Sequence, residues 1–377
     1  MDKNELIKIY GTDYKNMTMR LLEAAGLASL IKAPSSCIAI KPNLVNPTPA
    51  SFGATTHPEI VSGIIEYLQQ KGFENIVIAE GAWIGDRTSE AFEYCGYNAL
   101  SERYGVPLID TQKEKSFTKD CAGEKLSLCA FLKDVDFLIN VPVLKGHSQT
   151  GITCALKNLK GIIPNSEKRR FHAMGLHRPI AHLNGGVRQD FIVIDHICGD
   201  PEIEDGGHPL TTNCIMAALD PVLTDAYVCS ILDCPPALAA YVGLAADLGV
   251  GTDDLSTLKV TVLEGTDREG AEYDEAGNES AGNESIPRNF RRISVGSSVT
   301  DIDSCSACYT NLCEALDRLA AEGRLEHFEE KICIGQGNKK KNGKIGVGSC
   351  TSRFEHTLKG CPPKAEEIYR FLDRIIG

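Results

Sequence analysis

Four cysteines stand at marked turns in the C-terminal part of the chain. Cys305 and Cys308 form CxxC in DSCSACYTNLCEAL, Cys350 ends VGSC, and Cys361 lies in KGCPP. The CxxC opens a predicted helix, Cys350 directly follows a predicted strand, and Cys361 directly precedes a second helix. The glycine near Cys350 and the one before Cys361 let backbone approach a bulky inorganic group. Helix N-termini offer N–H groups and positive dipole ends to thiolates. Four thiolates with no histidine in the pattern favour a 4Fe–4S cluster, and zinc is satisfied by the same donors. Zinc sites usually pair two short knuckles, whereas ten residues separate Cys350 from Cys361. Seven other cysteines read as packing. Cys313 shares a helix with Leu312, Leu316 and Leu319, and Cys333 alternates with Ile332 and Ile334. Cys37, Cys129, Cys154, Cys214 and Cys229 lie among apolar residues. Cys234 begins another CPP but lacks the preceding glycine and a nearby CxxC.

A second constellation lies in the first two-thirds of the chain. The segment Val141–His172, VPVLKGHSQTGITCALKNLKGIIPNSEKRRFH, carries six lysines and arginines against one acid, Glu167, inside a chain of net charge −12. Such an island focuses an electrostatic field on an anion. Lys145, His147, Lys157 and Lys160 sit beside glycine, threonine and asparagine rather than on a charged helix face. Lys41 and Asn43 follow a predicted strand, Thr56 and His57 precede a helix, and Glu80 ends a strand. With Asn158 they are expected at one sheet edge. The lysines, with Asn43, Thr56 and Asn158, would hold a small carboxylate or phosphate, and His57, Glu80 or His147 would serve as acid or base. Asp195 ends a further strand. His196, Asp200, Glu202, Glu204, Asp205 and His208 follow, and they read as a solvated acidic loop, with a divalent-cation site as the alternative.

Both constellations carry resemblances. The order CxxC, GSC, GCPP resembles the proximal-cluster motif of nickel–iron hydrogenase small subunits and their complex I relatives. That resemblance covers about the last 75 residues and implies a 4Fe–4S cluster held by Cys305, Cys308, Cys350 and Cys361. The segments IKPNLV, ATTHPEIV, IAEG, VPVLKGHSQTGITCALKNLKGIIP and IVIDHICG…EDGGHP are similar, in order, to the domain of unknown function 362 family over roughly residues 5–265. That likeness implies an α/β domain and an anaerobic redox context, without naming a reaction.

The elements that must position these residues alternate. CIAIK, IVIA, FLINV and FIVI are short buried-type strands with polar ends. HPEIVSGIIEYLQQKG has apolar residues at Ile60, Val61, Ile64, Ile65 and Leu68, a helical period closed by glycine. The pattern predicts an α/β fold with a mostly parallel sheet and helices on both faces, whose ligands bind beyond the carboxyl ends of the strands. Residues 1–265 form this domain. An acidic, glycine-rich loop, in which AGNES occurs twice in tandem, spans 266–287, and a smaller α/β iron–sulfur unit spans 288–377. The last unit is expected to contain a helix near 309–322, strands near 331–334 and 344–347, and a final helix with Pro362 and Pro363 in its first turn.

Composition narrows the function. The acidic balance argues against nucleic acid and anionic membrane surfaces. No apolar run approaches the ~18 residues that span a bilayer. Fifteen cysteines suit a reducing compartment, so the cytoplasm is expected. The expectation is an oxidoreductase whose cluster serves a small anionic substrate or cofactor, with a redox partner protein. A non-enzymatic electron carrier and a cluster-dependent lyase or isomerase are the alternatives.

Overall fold

A computed structural model describes residues 1–263, 298–302, 304–328 and 330–376. The acidic loop expected at 266–287 lies outside the described residues. The chain divides into two units, Met1–Gly146 with Thr150–Pro287, and His147–Gln149 with Arg288–Gly377.

In chain order the strands of the first part are β1 (Glu5–Tyr10), β2 (Ile38–Pro42), β3 (Ile76–Glu80) and β4 (Leu108–Asp110). A hairpin of β5 (Ser116–Cys121) and β6 (Glu124–Cys129) follows, then β7 (Phe137–Val141), the short β8 (Lys145–His147) and β9 (Gly151–Thr153), β10 (Phe191–His196), β11 (Cys214–Ala218) and β12 (Lys259–Val262). Eight of them form one sheet in the order β12-β1-β11-β10-β7-β2-β3-β4. Every neighbouring pair is parallel except the two made by β11, which runs against both β1 and β10. β2, β7, β10 and β11 are buried at every position, as expected of strands covered on both faces.

Alternate residues divide the core. Ile38 and Ile40, Ile76 and Ile78, Ile139 and Val193 point to the face covered by helices Tyr14–Ala25 and Pro58–Gln70, where they meet Leu21, Leu22, Ile60, Val61, Ile64 and Leu68. On the opposite face Asn140 bonds to the helix Ala155–Asn158, and Lys8 lies over the ring of Tyr227, on the helix Pro221–Ile231, at 5.1 Å. Helices therefore cover both faces. Pro58 begins its helix where a missing N–H costs nothing. No helix among the described residues is long and apolar enough to cross a membrane.

The second unit holds a four-stranded parallel sheet of β13 (Val299–Asp301), β14 (Ile332–Ile334), β15 (Ile345–Val347) and β16 (His356–Leu358). Helices Ser306–Ala321 and Ala365–Ile376 pack with it through Leu312, Leu316, Leu319, Ile368 and Leu372. The last helix begins at Ala365, so Pro362 and Pro363 precede it rather than filling its first turn. Cys313 is buried in this core, as its helical position predicts. Cys333 is only half-buried between its two buried isoleucine neighbours.

Candidate functional site

In the second unit, Cys305 caps the helix Ser306–Ala321 and Cys308 lies in its first turn. Cys350 sits in the single turn Ser349–Thr351 after β15, and Cys361 follows Gly360 beyond β16. The four thiols thus stand at three element ends, two of them at one helix N-terminus. Burial raises the Cys308 thiol to about 12, and the neighbouring Cys305, Cys361 and Cys350 add to it. Cys305 is raised by burial and by Cys361 and Cys350, against the pull of Gln336 and Lys339. Cys350 is raised by burial and Cys361 and lowered by Lys339. The Cys350 turn is tied to the Cys361 loop, since Ser349 donates to Gly360 O through its amide at 2.8 Å and its hydroxyl at 3.0 Å. Gln336 Nε2 donates to Cys305 Sγ at 3.7 Å, and the Ser304 hydroxyl is buried with no partner. Gly348 has φ +91°, and a Cβ there would stand 3.8 Å from Cys308 Sγ. The glycine before Ser349 and Cys350 is therefore demanded by backbone conformation. Among the described residues, no three His, Cys, Asp or Glu side chains are gathered closely enough to hold a single metal ion.

In the first unit the polar residues meet at the carboxyl ends of β2, β3, β7 and β10. Lys41, wholly buried, forms an ion pair with Glu80 and donates to Pro42 O at 2.7 Å and Asn158 Oδ1 at 3.3 Å. Glu80 also accepts the amides of Leu44 at 3.3 Å and Gly81 at 2.6 Å. A Cβ on Gly161 would lie 1.9 Å from Glu80 Oε1 and 2.4 Å from Lys41 Cε, so only glycine closes over this pair. Asn158 donates to Asn140 Oδ1 at 2.7 Å. Burial lowers the Lys41 ammonium below its usual range, against the pull of Glu80.

Beside it, Thr56 Oγ1 accepts the Asn43 amide and donates to Val141 O, both at 2.8 Å. Lys145 donates to Asn43 Oδ1 at 3.3 Å, to Glu204 O at 2.8 Å, and to Ala54 O. Burial and Lys157 lower Lys145, while Asp205, Glu204 and Asp200 oppose them. Burial brings half-buried Lys157 down to about 8 against Glu204 and Asp205, and its ammonium donates to Thr153 Oγ1 at 3.0 Å. The basic island is thus answered by acids from the loop after β10. That loop is not simply solvated: Asp200 is fully buried and accepts the amides of Glu202, Ile203 and His208 at 2.8, 2.9 and 2.9 Å.

The predicted residues therefore separate. Lys41, Glu80 and Asn158 form one network, and Asn43, Thr56 and Lys145 form a second beside it. Lys157 and Lys160 are half-buried. His147 is buried, and its Nδ1 accepts the Gln149 amide at 3.0 Å. His57 joins two residues that sequence reasoning did not place with it. Its Nδ1 lies 2.8 Å from Asp195 Oδ2, and its Nε2 lies 3.7 Å from Cys198 Sγ. Burial pulls the imidazole down, but Asp195 and Cys198 overcome it and raise it to about 10. The available signal was DHIC following a strand, three residues from carboxylate to thiol, at the edge where THP also ends.

Known proteins resemble this chain as follows. A thylakoid-associated protein of Synechocystis sp. is 24% identical over 239 residues, covering 61% of this chain and 73% of that protein. The lactate racemase apoprotein from Thermoanaerobacterium thermosaccharolyticum aligns over 58% of this chain at 16% identity and TM-score 0.37. The chain spans only 54% of that protein, and a likeness so low carries no chemistry across. The family described as Domain of unknown function (DUF362) matches residues 38–230, which contain both polar networks and His57, Asp195 and Cys198 but end before the four cysteines. With just over half its length matched, the chain belongs to the DUF362 family.

Proposed function

We propose that the chain is an iron–sulfur protein holding one 4Fe–4S cluster through Cys305, Cys308, Cys350 and Cys361, and that it serves oxidation–reduction. The observation carrying this reading is that two thiols stand at one helix N-terminus, beside Gly348, and one each in the Cys350 turn and the Cys361 loop, which Ser349 Oγ ties together by its 3.0 Å bond to Gly360 O. The donor set suits the group. It is all sulfur, it opens at a helix N-terminus, and the Gln336 amide and Ser304 hydroxyl supply polar hydrogens beside Cys305. A bound cluster would take up and release single electrons. With all four cysteines ligating, every iron is protein-bound, which disfavours the lyase or isomerase reading. For a small anionic substrate, the half-buried Lys157 and Lys160 are the candidate contacts.

A second reading, a non-enzymatic electron carrier, is favoured by one observation. Lys41 and Lys145 are consumed by Glu80 and by carbonyls, which leaves less cationic surface for a substrate. Serine replacement tests the ligand set. Cys350→Ser should abolish the broad visible absorption of the anaerobically purified protein, whereas Cys313→Ser should retain it. Equal retention in both would remove Cys350 from the site. Dithionite bleaching and reoxidation with no turnover of any anionic compound would favour the carrier.

A further inference from the structure

We propose that Cys198 is a nucleophilic thiol, activated by His57 with Asp195 as positioning residue, that exchanges with small-molecule disulfides. Three functional groups line up. Cys198 Sγ faces His57 Nε2 at 3.7 Å, and His57 Nδ1 faces Asp195 Oδ2 at 2.8 Å. The carboxylate is itself fixed, since Oδ2 accepts the His57 amide at 2.8 Å and Oδ1 accepts the Ile197 amide at 3.1 Å. With Nδ1 held by Asp195, the only ring nitrogen left to the sulfur is Nε2. This is the nucleophile–base–orienter arrangement that activates a thiol. Tyr14 packs edge-on against the imidazole, with ring centroids 5.6 Å apart, and its hydroxyl donates to Asn213 Oδ1 at 2.8 Å. The charged and titratable groups around the pair are Asp195, Tyr14 and, further off, Glu59. The bland alternative is a small core side chain, since Cys198 is 7% exposed and lines the first unit's core. A core cysteine needs no imidazole held against it by a fixed carboxylate.

The electrophile class follows from what surrounds the sulfur. Attack on a carbonyl requires free donors for the developing oxyanion. The amides of His57 and Ile197 are committed to Asp195, that of Asp200 to Gly53 O, and those of Thr212 and Asn213 to Ile197 O, while the thiol itself lies 3.4 Å from Ala50 O, a carbonyl that repels an oxyanion. A disulfide needs only a thiolate and a proton for the leaving sulfur. The Cys198 thiolate attacks one sulfur of RSSR, a Cys198–SR bond forms and the RS–SR bond breaks. The departing thiolate takes the Nε2 proton and leaves as RSH with a neutral imidazole. Cys198 is oxidised to the mixed disulfide and the reagent is reduced, with no other oxidant. The low exposure of Cys198 restricts the partner to small molecules. None of this depends on what the four C-terminal cysteines hold.

The test uses the full chain, purified anaerobically with whatever metal it carries, and 4,4′-dithiodipyridine as the disulfide. Modified cysteines are located by peptide mass mapping. Near pH 6, Cys198 should react at least about tenfold faster than the fully buried Cys154 and Cys214, with a rate nearly level up to about pH 8. His57→Gln should slow Cys198 about tenfold or more near pH 6 and restore the steep rise toward pH ~8.5 of an ordinary thiol. Asp195→Asn should shift the profile the same way. A wild-type Cys198 that reacts no faster than Cys154, or only as pH passes the ordinary thiol range, overturns the proposal whether or not the variants fold. So does a folded His57→Gln protein with an unchanged profile.

Discussion

Replacing Glu80 with glutamine removes the charge that answers Lys41 and leaves one oxygen where the carboxylate offered two, Oε2 to the Leu44 amide and Oε1 to the Gly81 amide. The Lys41 ammonium is fully enclosed, with 1% of its side chain exposed. Without its carboxylate it must lose its proton in the folded state or remain as an unanswered buried charge. Its ordinary value is 10.5. Holding it neutral at pH 7 therefore costs at most about 5 kcal/mol, at roughly 1.4 kcal/mol per unit, which agrees with the ~3–5 kcal/mol of broken buried pairs. The sign with pH follows. Between the depressed folded value and 10.5 the unfolded state binds more protons, so stability rises with pH and the deficit shrinks by up to ~1.4 kcal/mol per pH unit. Urea and thermal unfolding of Glu80→Gln should show that deficit near neutral pH, a fall in Tm of roughly 6–20 °C. Adding Lys41→Met should recover much of it. The Lys15–Glu66 pair, 3.0 Å apart but about a third exposed, is the control, and breaking it should cost no more than ~1 kcal/mol. A Glu80→Gln deficit below about 1 kcal/mol with no pH slope would refute this account of the network.

Two further outcomes follow from the same edge of the sheet. His57 is raised from 6.5 to about 10, so its stabilising contribution is complete below about pH 6.5 and is lost as pH rises through about 10. NMR titration of its imidazole should show it charged through neutral pH, and Asp195→Asn should return its midpoint toward 6.5. A wild-type midpoint near 6.5 would contradict the contact. Gly161→Ala places a methyl group on Glu80 Oε1 and should cost at least ~1–3 kcal/mol. A neutral result in thermal unfolding would show that the Lys41–Glu80 pair packs less closely.

Much of the fold was legible because its signals are local. β2, β3 and the helix Pro58–Gln70 declare themselves as unbroken apolar runs or by a proline start and a glycine stop. β1 was hidden by Lys8, which looks like a surface charge but is buried over Tyr227. The hairpin Ser116–Cys129 was hidden because its first strand is mostly exposed and polar. At the site, residue types could be read but partners could not. Lys41 and Glu80 were assigned separate roles, as a substrate contact and an acid–base group, and the fold pairs them across 39 residues. His57 and Asp195 stand 138 residues apart, and no periodicity links them. Only the sheet order, with β2, β7 and β10 adjacent, brings them together. The four cysteines differ in that each carries a local mark, a glycine, a proline or a helix start.

The central claim, a four-cysteine iron–sulfur site, is tested most directly by metal and sulfide analysis of the anaerobically purified full chain. The account predicts iron and acid-labile sulfide in equal amounts, equivalent to one 4Fe–4S cluster per chain, with visible absorption that dithionite bleaches reversibly. Stoichiometric zinc without iron, or a colourless protein that iron and sulfide fail to reconstitute, would contradict it.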